Sequence, residues 1–322
     1  MPEVTYLEAL RQGLWEEMER DERVFMLGED IGAYGGAFKV TDGFQKKFGE
    51  ARVIDTPISE AAIVGAAAGA AHMGMRPVAE MQFIDFISCA YDMLTNYVAT
   101  ARYRAGLATP IVVRGPCGGY VRGGPFHSQN PEMYYVHTPG LKVVAPGTTY
   151  DAKGLIKAAI RDPNPVLVLE NEILYGQSFD VPKLDDFVLP IGKARIHKQG
   201  KDVTIVSFGI GMTYAIKAEA ELRGMGINAE IIDLRSLIPL DLDTIVRSVI
   251  KTGRCAIVHE ATRTSGFGAE LSALIQERCF YHLEAPVVRV TGWDTPYPHA
   301  QEWDYFPGPD RVGRALIRLM ET

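Results

Sequence analysis

The feature that most limits how this chain can fold is a regular alternation of short β-branched, apolar runs with stretches of helical spacing. Val24-Phe25-Met26-Leu27, Arg52-Val53-Ile54, Pro77 to Phe83, Pro110 to Arg114, Leu141 to Pro146 and Pro165 to Glu170 read as strands in the first half. Between them the spacing predicts helices at residues 5–19, at Phe44 to Phe48, after Glu60, from Ile84 to Tyr103 as one long apolar helix, and at 149–160. Strands Val203 to Ser207, Ala229 to Leu234, Cys255 to Val258 and Val287 to Val290 alternate with helices at 212–222, 242–251 and 267–279 in the second half. Strands that are apolar along their whole length belong in a mostly parallel sheet covered on both faces. The expectation is an α/β protein of two doubly wound domains, 1–175 and 194–322. Residues 176–193, where Pro, Asp, Lys and aromatic residues break the pattern, read as a linker.

Composition removes several functions. The 40 acidic against 33 basic side chains, net charge -7, disfavour binding to a phosphate backbone, so nucleic acid is not an expected partner. No apolar run approaches the length of a membrane span, and Met1-Pro2-Glu3-Val4 lacks the basic-then-apolar order of a signal peptide. The expected location is the cytoplasm or an organelle matrix. Cys89, Cys117, Cys255 and Cys279 are widely separated and form no metal-finger spacing.

Three stretches hold residues suited to chemistry. In Asp55-Thr56-Pro57-Ile58-Ser59-Glu60 a turn becomes a helix, with Ser59 as the expected cap and a run of small residues behind Glu60. Glu60 is either a placed acid or a first-turn glutamate favoured by the helix dipole. Gly28-Glu29-Asp30 ends a strand, where open α/β sheets keep ligands, although such acids also simply solvate loops. The glycine-rich segment from Gly115 to Gln129 is too long and irregular for a core, and it carries His127, whose charge can switch near neutral pH. A structural role for that histidine is equally open. No dinucleotide fingerprint, P-loop or nucleophile elbow is present, so these residues read as half of a site.

The same segments carry a resemblance. Val24 to Asp30, Arg52 to Glu60, Arg76-Pro77-Val78-Ala79-Glu80, His127-Ser128-Gln129, Pro139 to Val144, Tyr150 to Leu155, Gly200 to Thr204 and Lys251-Thr252-Gly253-Arg254 resemble, in order, one family. It is the beta chain of the thiamine-diphosphate-dependent, decarboxylating first component of 2-oxo acid dehydrogenase complexes, a relative of transketolase. The resemblance implies an N-terminal pyrimidine-binding domain and a C-terminal transketolase-like domain. It implies that Glu60 bonds the N1' nitrogen of the cofactor's aminopyrimidine, that Ile58, Gln82 and Phe86 face the cofactor, and that Glu29 joins a path between two active sites. His127 matches the histidine that transfers a proton during acylation of a lipoyl group. A structural potassium ion is implied on main-chain oxygens at Ile111, Ala159, Asp162 and Asn164, a turn that equally just ends a helix. His299 stands where relatives usually carry tyrosine, and no role is assigned to it.

Nothing in the chain matches the magnesium and diphosphate motif of such enzymes, so the resemblance implies a separate alpha chain that holds it. The assembly implied is two alpha and two beta chains serving a lipoyl-bearing acyltransferase core. The favoured substrate is pyruvate, with a branched-chain 2-oxo acid or acetoin as the alternatives. A split transketolase and a non-catalytic docking subunit are the rival functions.

Overall fold

The structure, a computed structural model, describes residues 3–119, 121–180 and 187–322. Strand β1 (Glu3–Thr5) runs into helix α1 (Tyr6–Arg20), whose start is closed by a capping box between Thr5 and Glu8. Then follow β2 (Val24–Gly28), α2 (Phe44–Phe48), β3 (Val53–Asp55), α3 (Glu60–His72) and β4 (Arg76–Glu80). An irregular helical stretch and α4 (Ala101–Ala105) lead to β5 (Val112–Cys117), α5 (Glu132–Val136), β6 (Lys142–Val144), α6 (Thr149–Arg161), β7 (Val166–Asn171), α7 (Glu172–Tyr175) and β8 (Ser178–Asp180). The second half contains β9 (Arg195–Lys198), β10 (Val203–Ser207), α8 (Gly211–Gly224), β11 (Ala229–Asp233), β12 (Ser236–Ile238) and α9 (Leu242–Thr252). It ends with β13 (Cys255–Val258), α10 (Phe267–Cys279), β14 (Val288–Val290), α11 (Glu302–Tyr305) and α12 (Pro309–Met320).

These elements form a seven-stranded sheet, β12-β6-β7-β5-β4-β2-β3, and a five-stranded sheet, β14-β13-β10-β11-β9, as expected of a two-sheet α/β chain. Within these two sheets, among the described residues, the edge strands β12 and β9 run antiparallel to their neighbours and the other pairs are parallel. The inner strands β2, β5, β7, β10, β11 and β13 are buried at every position, which is why their sequences are mostly apolar, with the buried polar residues Arg114, Glu170 and Asp233 held in ion pairs.

The structure departs from the sequence reading at four places. The stretch from Ile84 to Tyr103 is not one α-helix: Ile84–Ala90 is a tight 3-10 helix, Met93–Val98 a wide π segment, and α4 begins at Ala101. Asp85 in the tight turn is drawn toward the glycine-rich loop, where it accepts the Ser128 and Gln129 N–H groups at 3.1 Å each. The interval read as linker contains β8, which pairs with β1; its residues 181–186 lie outside the described residues. β12, where the sequence reading assigns no element, crosses to the N-terminal sheet and pairs with β6, so a strand from the second half completes the first sheet. The C-terminal helix α12, buried through Val312, Leu316 and Leu319, went unread because it follows an irregular Trp- and Pro-containing segment.

The buried apolar residues fall into two clusters, and each draws on both halves. One contains Leu10, Leu14, Val24 and Ile156 with Ile205, Leu222 and Leu316. The other contains Ile63, Val64, Ile87 and Leu94 with Ile232, Val249 and Leu271. The core therefore sits as two layers flanking the sheets.

Candidate active site

Strands β2, β3 and β4 lie parallel, with Gly28 in register with Asp55 on one side and Glu80 on the other. The residues that follow them, Glu29-Asp30, Thr56 to Glu60, and Met81-Gln82-Phe83, therefore emerge together at the carboxyl edge of the sheet, where such folds hold ligands. Glu60 opens α3 at 8% exposure, and Glu29 is 7% exposed. Burial raises the Glu29 pKa, and the negative charges of Glu60 and Asp30 raise it further, so the two buried acids are electrostatic neighbours. The helix N-terminus beneath Glu60 favours negative charge at that position.

Ser59 does not act as the expected cap. At φ -167° and ψ 79° its side chain reaches no amide of the first turn, and the turn is closed by the Ile63 N–H donating to the Ser59 carbonyl at 2.9 Å. Ile58 is 83% exposed, an apolar side chain held out at the mouth of this edge. Gln82 donates to Asp30 Oδ2 at 3.2 Å, joining the ends of β4 and β2.

His127 follows the 3-10 turn Gly124–Phe126 and stands edge-on to two aromatic rings, 4.6 Å from the Phe83 centroid and 5.5 Å from Phe86. Phe83 in turn meets Phe38 at 5.5 Å and Phe86 at 6.2 Å. The histidine is thus half-buried against an aromatic wall. Phe86 contributes an edge to that wall. The sequence reading gives Phe83, Phe38 and Asp85 no site role; the spacing Phe83-x-x-Phe86 is the available signal.

Beneath the edge Arg114, 1% exposed, is paired with Glu80 and Glu170, and donates from Nε to Glu170 Oε1 at 2.6 Å. Tyr175 donates to Glu170 Oε2 at 2.6 Å and packs on Phe38. Two carboxylates around one guanidinium make a desolvated floor with one acid in excess, and burial and the charge of Glu170 raise the Glu80 pKa accordingly. A second cleft of about 260 Å³ lies on the other side of the loop, lined by Gln129, Asn130, Tyr134, Thr262, Tyr297 and Tyr305.

The positions implied for potassium lie at the opposite end of the sheet. The Ala159 carbonyl accepts the Asp162 N–H at 3.2 Å, the Ile111 carbonyl accepts Val166 N–H at 3.0 Å, and Asn164 donates to Asp162 Oδ1 at 2.9 Å. Arg76 donates to the Asp162 carbonyl at 3.2 Å, and Lys142 pairs with the Asp162 carboxylate, so protein cations already serve this turn. Beside it opens an apolar cavity of about 800 Å³, lined by Val98, Ala99, Tyr103, Pro139, Leu141 and Pro165. Among the described residues no group of three or more His, Cys, Asp or Glu is arranged to hold a metal ion, and no helix is long and apolar enough to cross a membrane.

The model of the transketolase pyrimidine binding domain matches residues 2–177, and that of the transketolase C-terminal domain matches residues 192–312. The chain is 50% identical to the 2-oxoisovalerate dehydrogenase subunit beta of Pseudomonas aeruginosa, over 99% of this chain and 95% of that one. It is 53% identical to the pyruvate dehydrogenase E1 component subunit beta of Rhizobium meliloti, over 93% of this chain and 66% of that one. A solved split gene transketolase, described as an inactive beta4 tetramer, superposes with a TM-score of 0.80 at 23% identity, covering 99% of each chain.

Proposed function

The chain belongs to the transketolase-like family of 2-oxo acid dehydrogenase E1 beta subunits, and from that premise we propose that it works with an alpha chain to decarboxylate a 2-oxo acid on thiamine diphosphate and pass the acyl group to a lipoyl arm. The observation that carries this reading is the buried pair Glu60 and Glu29 at the carboxyl edge, next to the aromatic wall of Phe83 and Phe86 and the half-buried His127. Such a surface fits the aminopyrimidine end of the cofactor: an acid for a ring nitrogen, apolar rings for its face, and exposed Ile58 and Gln82 as further lining. When bound, thiamine diphosphate supplies the thiazolium ring on which the 2-oxo acid loses carbon dioxide. This chain's contribution is to position and protonate. Glu60 holds or shares a proton at the pyrimidine nitrogen, Glu29 keeps a second acidic group within its electrostatic reach, and Phe83 and Phe86 exclude water.

His127 then moves the proton to the lipoyl group during acyl transfer. Magnesium and the diphosphate would be held by the alpha chain, in an assembly of two alpha and two beta chains. Potassium at Ile111, Ala159, Asp162 and Asn164 would have to share a turn with Arg76 and Lys142, so no step is routed through it. For the substrate, pyruvate and branched-chain 2-oxo acids both have relatives near half identity. Pyruvate is the reading from sequence, with a branched-chain 2-oxo acid as the alternative that the 2-oxoisovalerate dehydrogenase relative supports.

The test is reconstitution with the alpha chain and measurement of rates on pyruvate, 3-methyl-2-oxobutanoate and acetoin, with Glu60→Gln alongside. Glu60→Gln should lower thiamine-diphosphate-dependent turnover by about 10²–10⁴-fold, the range of a lost general acid or base, while the complex still assembles. Near-normal turnover in that variant, or no cofactor-dependent signal in the intact complex, would sink the reading.

A further inference from the structure

Where the carboxyl ends of the two sheets meet, four glutamates are buried: Glu132 on α5, Glu172 on α7, Glu260 just after β13 and Glu302 on α11. Glu260 differs from the others in where its hydrogen bonds go. One oxygen accepts the Gly119 N–H at 2.8 Å, and the other accepts the Asn171 amide at 2.8 Å. Asn171 itself accepts the Ile173 N–H at 3.1 Å and so caps α7. Gly118 has φ +82°, and a side chain there would overlap the Asn171 amide and the Glu260 carboxylate, so the backbone is seated directly on this pair.

Gly118 and Gly119 form one side of the neck of the glycine-rich loop. The neck is closed by the Gly118 N–H donating to the Gln129 carbonyl at 3.1 Å. Asp85 holds the other side through Ser128 and Gln129, the residues directly after His127. The loop is therefore clamped from two directions: by Asp85 of the N-terminal half, and by Glu260 of the C-terminal half.

We propose that Glu260 is a positioning residue for His127, with its carboxylate tying the C-terminal domain to the neck of the loop and thereby fixing where the imidazole stands for acyl transfer. This rests on the role given to His127 above. Hydrogen bonds from buried amides to a carboxylate are stronger than those to its neutral form, so ionisation tightens the clamp. Burial raises the Glu260 pKa to about 7, against the opposing effect of Gly119, Asn171 and Asn130, with Glu302 adding to the rise. Glu132, Glu172, Tyr214, Tyr297, Tyr305 and Cys117 also face it electrostatically, each with its own pKa raised by burial. Withdrawal of the Gly119 amide alone leaves Glu260 buried and removes a hydrogen bond that lowers its pKa, so the ionised carboxylate favours the closed neck and local protection at Gly119 should rise with pH through neutrality, opposite in sign to whole-chain unfolding, which returns the buried acid to water.

The experiment uses the intact complex with its alpha chain. Without cofactor, hydrogen exchange at Gly119 should accelerate at least tenfold in Glu260→Ala. After correction for intrinsic exchange, wild-type protection should fall as pH drops from 8 to 6, and this dependence should disappear in Glu260→Gln. With cofactor, acylation of a lipoyl domain should fall at least tenfold more than decarboxylation read with an artificial electron acceptor. Unchanged protection in both variants, or equal loss of the two half-reactions, overturns the proposal. If Glu260→Ala does not fold, the shape-conserving Glu260→Gln decides through the pH dependence of exchange. The exchange readout needs no turnover, so failure of the catalytic reading, seen as normal turnover in Glu60→Gln, is separable from failure of the clamp.

Discussion

At the scale of single residues the site is a matter of which acids lose water and which histidine is held still. Glu60 and Glu29 are ordinary glutamates in sequence, and burial at one sheet edge makes them electrostatic neighbours. His127 is placed by contacts that sequence spacing does not reveal: two phenylalanines on one side and a loop neck held by Asp85 and Glu260 on the other. On the proposed function, His127→Ala should reduce lipoyl acylation by about 10²–10⁴-fold, with a smaller effect on decarboxylation, because a general acid or base acts only where its proton moves. Single-turnover acylation against an artificial-acceptor assay reads the difference; equal losses in both would mean that the histidine holds the fold of the site instead.

At the scale of elements, two glycine positions predict opposite behaviour. Gly13 on α1 faces α6 so closely that an added Cβ would lie 2.6 Å from Ile156 Cγ2 and 3.3 Å from the Lys153 carbonyl. Gly13→Val should cost about 1–3 kcal/mol through overpacking, read as a lower denaturant midpoint. Gly69 on α3 has nothing within 4 Å of an added Cβ and shares an exposed face with Ala61, Ala62 and Ala66. Gly69→Leu should leave the melting point of the isolated chain within a few degrees, and should weaken assembly if that small-residue face receives another helix; sedimentation of the mixed alpha and beta chains separates the outcomes. The irregular stretch from Ile84 to Val98 belongs at this scale too. Its apolar spacing announced a helix, but the pull of Asp85 toward the loop and the wide turn at Met93–Val98 are set by tertiary contacts, and π segments commonly sit at functional sites.

For the whole molecule, the join between the two halves is polar as well as apolar. Asp151 on α6 pairs with Arg235 at 2.6 Å and Arg195 at 3.3 Å, both from the second half, close to buried Asp233. Near the loop, burial pushes Glu132 up to about 8 and Glu172 up to about 9. Both pKa values are raised above that of an unfolded glutamate, so the folded state holds protons the unfolded chain releases. The sign follows: this contribution is fully present below about pH 4.5, weakens as pH rises, and is used up by pH 8–9. Thermal unfolding should thus show a falling melting temperature between pH 6 and 9, and Glu172→Gln should flatten that slope. A melting temperature that rises over the same interval in the wild type would show that these carboxyls are ionised in the fold.

Much of this was legible in the chain itself. Residues 24–28, 112–117 and 203–207 are strands because their mostly apolar runs are long enough to be buried on both faces, a property local to a few residues, and the alternation with helices then leaves a parallel sheet as the arrangement that covers them. The carboxylates Glu29 and Glu60 and the loop histidine could be singled out because strand ends, helix starts and glycine-rich loops have local signatures. What only the tertiary structure decided is what stands opposite what: β12 completing the first sheet, Phe83 meeting His127, and Glu260 reaching across to Gly119. Those contacts join residues far apart in sequence, and they are chosen by packing and desolvation in three dimensions, which no local period records.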